Sequence, residues 1–177
     1  GEIIVCDAYH IYCDEAAGAS VLGGISMNAI ATQANGAVSP ADVTAAIKVD
    51  DPHYARSRLL CLENTVGGQV IPLDDMRAAA RVAWDAGLFV HLDGARFFNA
   101  ITALGCEAIE LANYADSISI CMSKGLGAPV GSVLVGLSAL IVQARRNRKI
   151  LGGSMRQAGV LAASALHALD HNLPDLE

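Results

Sequence analysis

The sequence has few basic residues, and this shortage argues against one class of partner. Its 177 residues contain 12 Lys and Arg against 18 Asp and Glu, which gives a formal net charge of −6 at pH 7. Binding to nucleic acid or to an anionic membrane surface depends on clustered basic side chains. The basic cluster at 145–149 is too short to provide such a surface. We therefore expect neither nucleic acid nor a membrane as a partner.

Paired or closely spaced cysteines are also lacking. The five cysteines form an odd set, and no two of them have C-x-x-C spacing. Disulfide frameworks and zinc sites require even numbers or short spacings, so we expect reduced thiols and no metal site. The first residues, Gly1 and Glu2, lead directly into an apolar run without the pattern of a signal peptide. A cytoplasmic protein is the resulting expectation.

Charged residues make up only 17% of the chain, whereas 53% of it is hydrophobic. This composition excludes a disordered chain, and the length is typical of one domain with its own core. Residues 125–144 carry no charge over a length that could span a membrane. Four glycines, Pro129, two serines and Gln143 interrupt this run, so we predict a loop, a strand and the start of a helix there.

Short apolar runs alternate with segments of helical periodicity along the whole chain. Strands are predicted at 3–6, 58–63, 88–92, 117–122 and 132–135, and helices at 10–22, from 40 onward, 72–86, 95–115, 138–150 and 154–171. This alternation indicates βαβ units and a mostly parallel sheet with helices on both faces. The last two strands have no helix between them and should pair antiparallel. The predicted fold is a three-layer α/β/α architecture with one antiparallel strand.

Charged residues stand at the ends of three of the predicted strands. Glu63 ends one apolar run, Asp93 ends the next, and Lys124 follows the run at 117–122. Ligands of open α/β sheets bind at the carboxyl ends of the strands, and charge at such positions is costly unless it faces a cleft. Pyridoxal phosphate (PLP) requires an amine for a Schiff base and a carboxylate at its ring nitrogen. Lys124 and Asp93 are candidates for these two roles.

Each of these residues also has an ordinary interpretation. An Asp-Gly pair after a strand is typical of a turn, and a Lys-Gly pair is typical of a solvated loop. Arg96 fits a salt bridge to Asp93 as well as it fits a clamp for a substrate carboxylate. His10, at the start of a predicted helix, fits a helix cap as well as a ring that stacks on a planar cofactor. The residues alone leave these alternatives open.

The glycines at 125, 127 and 131 suggest a second cofactor class, because they resemble a dinucleotide-binding loop after a strand. That mechanism requires a helix immediately after the loop, with its amino end directed at the pyrophosphate. Here Pro129 and the β-prone residues 132–135 follow instead. The pattern therefore excludes a dinucleotide site.

Three long motifs resemble those of one enzyme family. They read HLDGARFFNA at 91–100, CMSKGLGAPVGS at 121–132 and RKILGGSMRQAG at 148–159, and LENT at 62–65 accompanies them. The sequence resembles the low-specificity L-threonine aldolases, which belong to the fold type I, aspartate-aminotransferase-like PLP enzymes. The resemblance covers essentially all 177 residues.

The resemblance implies a role for each matching residue. Lys124 would form the Schiff base with PLP, and Asp93 would hold the pyridinium nitrogen. His10 would stack its ring on the cofactor and take part in catalysis. Arg96 would contact the cofactor and the substrate carboxylate.

Two further residues are implied near the site. Arg156 would bind the cofactor phosphate at a subunit boundary, and Lys149 would lie at the substrate side of the site. A homodimer or homotetramer would follow from this arrangement. The sequence departs from the family at one point, because Val66 stands where a histidine is common after the Glu-Asn-Thr segment.

The implied activity is cleavage of L-threonine, L-allo-threonine and related β-hydroxy-α-amino acids to glycine and an aldehyde. A β-eliminating lyase, an aminotransferase and a non-catalytic α/β domain remain as alternatives. Residues 1–177 would form the core of the PLP-binding large domain. The resemblance places the segment that binds the phosphate before Gly1 and a small domain after Glu177.

Overall fold

Strands and helices alternate along the chain, of which the computed structural model describes residues 1–176. The strands are β1 (Glu2–Cys6), β2 (Ser26–Ile30), β3 (Ser57–Glu63), β4 (Phe89–Gly94), β5 (Ser117–Cys121) and β6 (Ser132–Gly136). The helices are α1 (His10–Cys13), α2 (Gly18–Gly23), α3 (Pro40–Ala46), α4 (Leu73–Asp85), α5 (Phe97–Leu104), α6 (Ala108–Ala112), α7 (Ser138–Ile150) and α8 (Gly159–His171). A 3₁₀ helix follows at Leu173–Asp175.

The six strands form a single sheet in the order β2-β1-β3-β4-β5-β6. The pairs β1–β2, β1–β3, β3–β4 and β4–β5 are parallel. Strands β5 and β6 are antiparallel and are joined by a loop without a helix. Helices flank the sheet, so the predicted α/β fold with a mostly parallel sheet and one antiparallel strand is confirmed.

Three segments differ from the sequence prediction. Strand β2 was not predicted, because SMNAI has no apolar run, and pairing with β1 is what makes it a strand. The single helix predicted at 10–22 is wrong: Ala16 and Ala17 have φ angles of 48° and 56°, and this left-handed turn separates α1 from α2. The helix predicted at 95–115 is also two helices, since Gly105 ends α5 in the left-handed region at φ 63°.

The main core lies between one face of the sheet and the helices that cross it. Side chains alternate between the two faces along β4, where Val90 and Leu92 are fully buried. Helix α4 covers this face with Met76 and three alanines at 79, 80 and 83, all of them at most 2% exposed. The small alanine side chains let the helix approach the sheet closely. Among residues 1–176, no helix has the length and apolar character needed to cross a membrane.

The buried carboxylate of Glu2 links β1, β2 and β3, which form one side of the sheet. Glu2 of β1 is 1% exposed, and its Oε2 contacts Nζ of Lys48. Its other oxygen accepts hydrogen bonds from Ser57 Oγ of β3 at 3.2 Å and from Asn28 Nδ2 of β2 at 3.5 Å. A buried carboxylate is stable only when such partners surround it. The network therefore holds β1, β2 and β3 together at the end of the sheet opposite the charged strand ends.

Replacement of Lys48 by methionine should destabilise the fold. The substitution keeps an unbranched side chain that is one atom shorter but leaves the Glu2 carboxylate buried without its cation, at a cost of roughly 3 kcal/mol. Urea unfolding followed by circular dichroism measures the loss. Arg81→Met, at an exposed position of α4, is the matched control and should cost less than about 0.5 kcal/mol. Equal losses for the two variants would contradict the role of the ion pair.

Candidate active site

The carboxyl ends of β3, β4 and β5 meet at a cavity of about 410 Å³, within the range of roughly 300–1,000 Å³ that ligand sites occupy. The cavity is polar, and its lining comes from four separate segments of the chain. The lining residues are Ala8, His10, Asp14, Glu63, Thr65, Gly67, Gly68, Arg96 and Lys124. Three residues predicted from the sequence, His10, Arg96 and Lys124, therefore share one cavity.

Asp93, the penultimate residue of β4, lies at the same edge of the sheet but is not among the residues that line this cavity. It is the register partner of Glu63 on β3 and of Ser119 on β5. Residues directly opposite each other in neighbouring strands direct their side chains to the same face of a sheet. Asp93 Oδ1 also accepts a hydrogen bond from the backbone N–H of Ala95 at 2.9 Å, which is the turn contact that its Asp-Gly sequence suggested.

The loop that carries Lys124 is held by a second, smaller core. Met122 and Leu126 are 4% and 2% exposed and pack with Ala128 against Ala168 of α8. Asn172 Nδ2 donates a 2.7 Å hydrogen bond to the carbonyl of Leu126. These contacts anchor the loop on both sides of Lys124.

Two backbone features shape the turn that begins at Lys124. The N–H of Gly127 donates to the Lys124 carbonyl at 3.0 Å, and Gly127 has a φ angle of 71° that disfavours other residues. The tight turn leaves the lysine side chain exposed. The structure thus places an exposed amine at the rim of the cavity, on a backbone that packing has fixed.

Arg96 precedes α5 as its N-cap residue, and its carbonyl accepts the N–H of Ala100 at 2.9 Å. Its side chain lines the cavity and is exposed. Among the ion pairs of residues 1–176, none joins Arg96 to Asp93. Of the two interpretations of Arg96, the structure therefore favours an arginine available to an anionic ligand over a structural salt bridge.

His10 is fixed at the opposite wall of the cavity as the first residue of α1. Its backbone N–H donates to Oε2 of Glu63 at 2.7 Å, and its ring Nδ1 lies 3.0 Å from Oε1 of Glu15. Tyr9, 1% exposed, anchors the residue before it through a 3.3 Å hydrogen bond from its hydroxyl to the Gly36 carbonyl. Both the backbone and the ring of His10 are therefore held in place.

Glu63 is the electrostatic centre of the site. Burial raises the pKa of its carboxyl group, the hydrogen bond from the His10 N–H lowers it, the neighbouring Asp93 carboxylate raises it, and the charges of His10 and Lys124 lower it. The net pKa lies above the ordinary value for glutamate. The charges of Asp93, His10 and Lys124 thus all act on the same carboxylate.

Besides Asp93, two further predicted residues do not line this cavity. Lys149, in the last turn of α7, and Arg156, between α7 and α8, are exposed, and neither belongs to the residues that line the site. Their assignment to the cofactor and substrate stays a prediction.

Three residues with polar side chains line the cavity but were not predicted as site residues: Glu63, Thr65 and Asp14. Glu63 and Thr65 belong to the strand end that the sequence marked as unusual, so a signal for them existed. Asp14 lies just after α1, where nothing in the local sequence distinguishes it from a solvated surface carboxylate.

Thr65 carries an unusual polar atom. Its Oγ1 is fully enclosed and has no hydrogen-bond partner among residues 1–176. The loop around it is rigid, because the buried side chain of Asn64 bonds both the N–H and the carbonyl of Ile71, at 3.1 and 3.0 Å. An orphaned polar atom beside a cavity indicates that a bound group or water completes its hydrogen bonding.

The sequence matches known proteins over its whole length. The family model described as beta-eliminating lyase matches residues 1–177. The low-specificity L-threonine aldolase of Escherichia coli (strain K12) is 48% identical over 176 residues, which cover 99% of this chain and 53% of that protein. The chain thus spans about half the length of the curated relative.

Solved structures show the same fold. The threonine aldolase of Leishmania major superposes with a TM-score of 0.85 at 22% identity, covering 98% of this chain and 52% of that one. The aspartate aminotransferase tetra mutant 1 of Thermus thermophilus superposes with a TM-score of 0.75 at 15% identity, covering 98% and 47%. At these identities the likeness concerns the fold alone.

Replacement of Thr65 by valine should not destabilise the cofactor-free protein. Valine has the same shape, and the unpartnered hydroxyl costs about 1 kcal/mol or more when it is enclosed. We therefore expect an unchanged or higher midpoint of urea unfolding. Thr32→Val is the control, because the Thr32 hydroxyl donates to Oδ1 of Asp7 at 2.7 Å and accepts the Ala8 N–H at 3.0 Å, so its removal should lower stability. A loss at Thr65 as large as that at Thr32 would mean that the Thr65 hydroxyl already has a partner.

Proposed function

Because the chain belongs to the beta-eliminating lyase family, we propose that the protein is a PLP-dependent lyase of the threonine aldolase type. It would cleave L-threonine, L-allo-threonine and related β-hydroxy-α-amino acids to glycine and an aldehyde. The observation that carries the proposal is the placement of Lys124, Arg96 and His10 around one cavity, with Asp93 beside the lining residue Glu63 in the sheet. The name and 48% identity of the E. coli relative support the same reaction class.

The residues of the cavity fit PLP. Around the cavity lie an exposed amine, the carboxylate of Asp93 beside Glu63, a guanidinium and an enclosed hydroxyl that has no partner among residues 1–176. These groups match the aldehyde, ring nitrogen and oxygen atoms of such a cofactor. When bound, PLP supplies an electron sink that stabilises negative charge at the α-carbon of an amino acid.

Four residues have a defined role in this proposal. Lys124 would hold the cofactor through its Nζ, at the aldehyde carbon where a substrate amine also has to react. The carboxylate of Asp93 would keep a proton at the ring nitrogen. The imidazole of His10 would pack on the ring, and the guanidinium of Arg96 would bind the substrate carboxylate with two hydrogen bonds.

The proposal extends to assembly and location. A homodimer or homotetramer in the cytoplasm would place Arg156 at the cofactor phosphate and Lys149 at the substrate side. Both residues are exposed in the chain, which leaves them accessible to a site shared between subunits. Full activity in a protein that sediments as a monomer would contradict the shared site.

Product analysis distinguishes the proposed reaction from its alternatives. The intact protein is incubated with PLP and L-threonine, and acetaldehyde and glycine are measured beside keto acids. Acetaldehyde and glycine in equal amounts are the expected result. Keto acid and ammonia would indicate a β-eliminating lyase, and a keto acid formed only with an amino acceptor would indicate an aminotransferase. Neither cofactor binding nor any product would indicate a non-catalytic domain.

Lys124→Ala should remove the covalent bond between protein and cofactor, because no other amine lines the described part of the cavity. The measurement is the visible absorption of the protein with PLP, followed by borohydride reduction and mass analysis of the labelled peptide. Lys124→Arg is the matched control, since it keeps the charge and removes the nucleophile. Both variants should lose the label and the activity. A label that persisted in either variant would contradict the assignment.

Asp93→Asn should separate cofactor attachment from turnover. The amide cannot hold the ring nitrogen protonated as a carboxylate does, so we expect attachment at Lys124 to persist while turnover falls roughly 10²- to 10³-fold. Steady-state kinetics with L-threonine and the absorption spectrum measure the two effects. Asp85→Asn, at the exposed end of α4, is the control and should behave as the wild type. Unchanged turnover in Asp93→Asn would refute the role of this carboxylate.

A further inference from the structure

We propose that Glu63 is a positioning residue whose carboxylate fixes the first turn of α1, and with it the imidazole of His10, over the cavity. The contact itself is independent of any ligand. The benefit to the cofactor rests on the proposed function, in which the His10 ring covers the PLP ring. No role for Glu63 follows from the sequence motifs, which predict Lys124, Asp93, His10 and Arg96.

Glu63 stabilises α1 because its hydrogen bond from the His10 N–H lies at the first turn of the helix. The first N–H groups of a helix have no partner within the helix, and a side chain just before the helix usually satisfies one of them. Tyr9 occupies that place in α1 and makes no such bond with its side chain. Glu63, 53 residues away on β3, supplies the acceptor instead, with Oε2 at 2.7 Å from the His10 nitrogen.

Helix α1 needs this support, because little else holds it. It is four residues long, and none of its residues is buried. A helix of this length is not stable by itself. The anchors of the neighbouring chain lie at its two ends, where Tyr9 is buried and the Cys13 Sγ contacts the Asp7 carbonyl at 2.8 Å. Within the helix, the partly buried Ile11 packs against the main core, and the bond from His10 to Glu63 is the hydrogen bond that ties the helix to the site.

The cost of placing a carboxylate here strengthens the inference. Glu63 is only 8% exposed, and its register partner on β4 is a second carboxylate, Asp93. Burial and this neighbour raise the pKa of Glu63, which expresses the cost of its charge. Among residues 1–176, Glu63 takes part in no ion pair within 4 Å. The hydrogen bond from His10 is therefore the contact that offsets the cost.

The backbone and the ring of His10 are consequently held by two different carboxylates. Glu63 fixes the backbone through the N–H, and Glu15 restrains the ring through Nδ1 at 3.0 Å. A change in the reach of the side chain at position 63 should move the helix and the ring together. A change that keeps the reach should not.

Two substitutions of Glu63 separate the effect of side-chain length from the effect of charge. Glu63→Gln keeps an acceptor oxygen at the same distance but removes the charge, whereas Glu63→Asp keeps the charge but withdraws the oxygen by one methylene group. Both variants keep a polar side chain of similar volume, so both should fold, which thermal unfolding verifies. If Glu63 acts by position, glutamine is tolerated and aspartate is not.

The first measurement uses the intact, cofactor-free protein. Hydrogen exchange with mass analysis follows the backbone amides of residues 9–13. Glu63→Asp should increase exchange in this segment about tenfold or more, because the charge-assisted bond is lost, and Glu63→Gln should stay within about threefold of the wild type. Unchanged exchange in Glu63→Asp, or an equal increase in both variants, would overturn the proposal.

The second measurement tests whether the effect passes through His10. The dissociation constant of PLP should rise roughly tenfold in Glu63→Asp and remain within about threefold in Glu63→Gln. In a His10→Ala background, Glu63→Asp should have no further effect, since the ring that it positions is gone. Additive effects in this cycle would overturn the positioning role. If the wild type neither binds PLP nor cleaves threonine, the proposed function is wrong. The hydrogen-exchange result still shows whether the bond between Glu63 and His10 stabilises α1, because it needs no cofactor.

Discussion

The parallel register of β3, β4 and β5 is the constraint on which the site depends. It sets Glu63, Asp93 and Ser119 side by side at the carboxyl edge of the sheet. The segments that leave these strands must then cross the same edge, so Thr65, Arg96 and Lys124 reach one cavity from three directions. A shift of one residue in either strand pair would send the corresponding carboxylate to the opposite face.

This edge contains polar groups whose burial costs folding free energy, and the packing of the rest of the fold offsets that cost. Two carboxylates lie next to each other in a partly buried place, and an enclosed hydroxyl lacks a partner. The opposite end of the sheet shows a different solution, in which the buried Glu2 is paired with Lys48 and bonded by Ser57. One end thus satisfies its charges within the chain, whereas the other leaves polar groups directed toward a cavity. That asymmetry is typical of a functional site in an α/β sheet.

Much of this arrangement could be predicted from the sequence. Apolar runs at β1, β3, β4 and β5 identify buried strands, and the missing helix between β5 and β6 predicts their antiparallel pairing. Lys124 and Asp93 follow from their places at strand ends. Strand β2 and the break between α1 and α2 could not be predicted in this way. The first forms because β1 offers its edge, and the second depends on two alanines in a conformation that alanine rarely adopts.

By itself, the sequence determined the α/β class, the candidate amine and acid, and the resemblance that links them to PLP, because these depend on local periodicity and on motifs. Only the tertiary structure decided that Glu63 holds His10, that Thr65 and Asp14 face the same cavity, and that Arg96 is not paired with Asp93. Such facts depend on contacts between residues far apart in the chain, and the hydrogen bond between residues 10 and 63 is one of them. Distances across a sheet edge are set by strand register and helix packing, which no local pattern specifies.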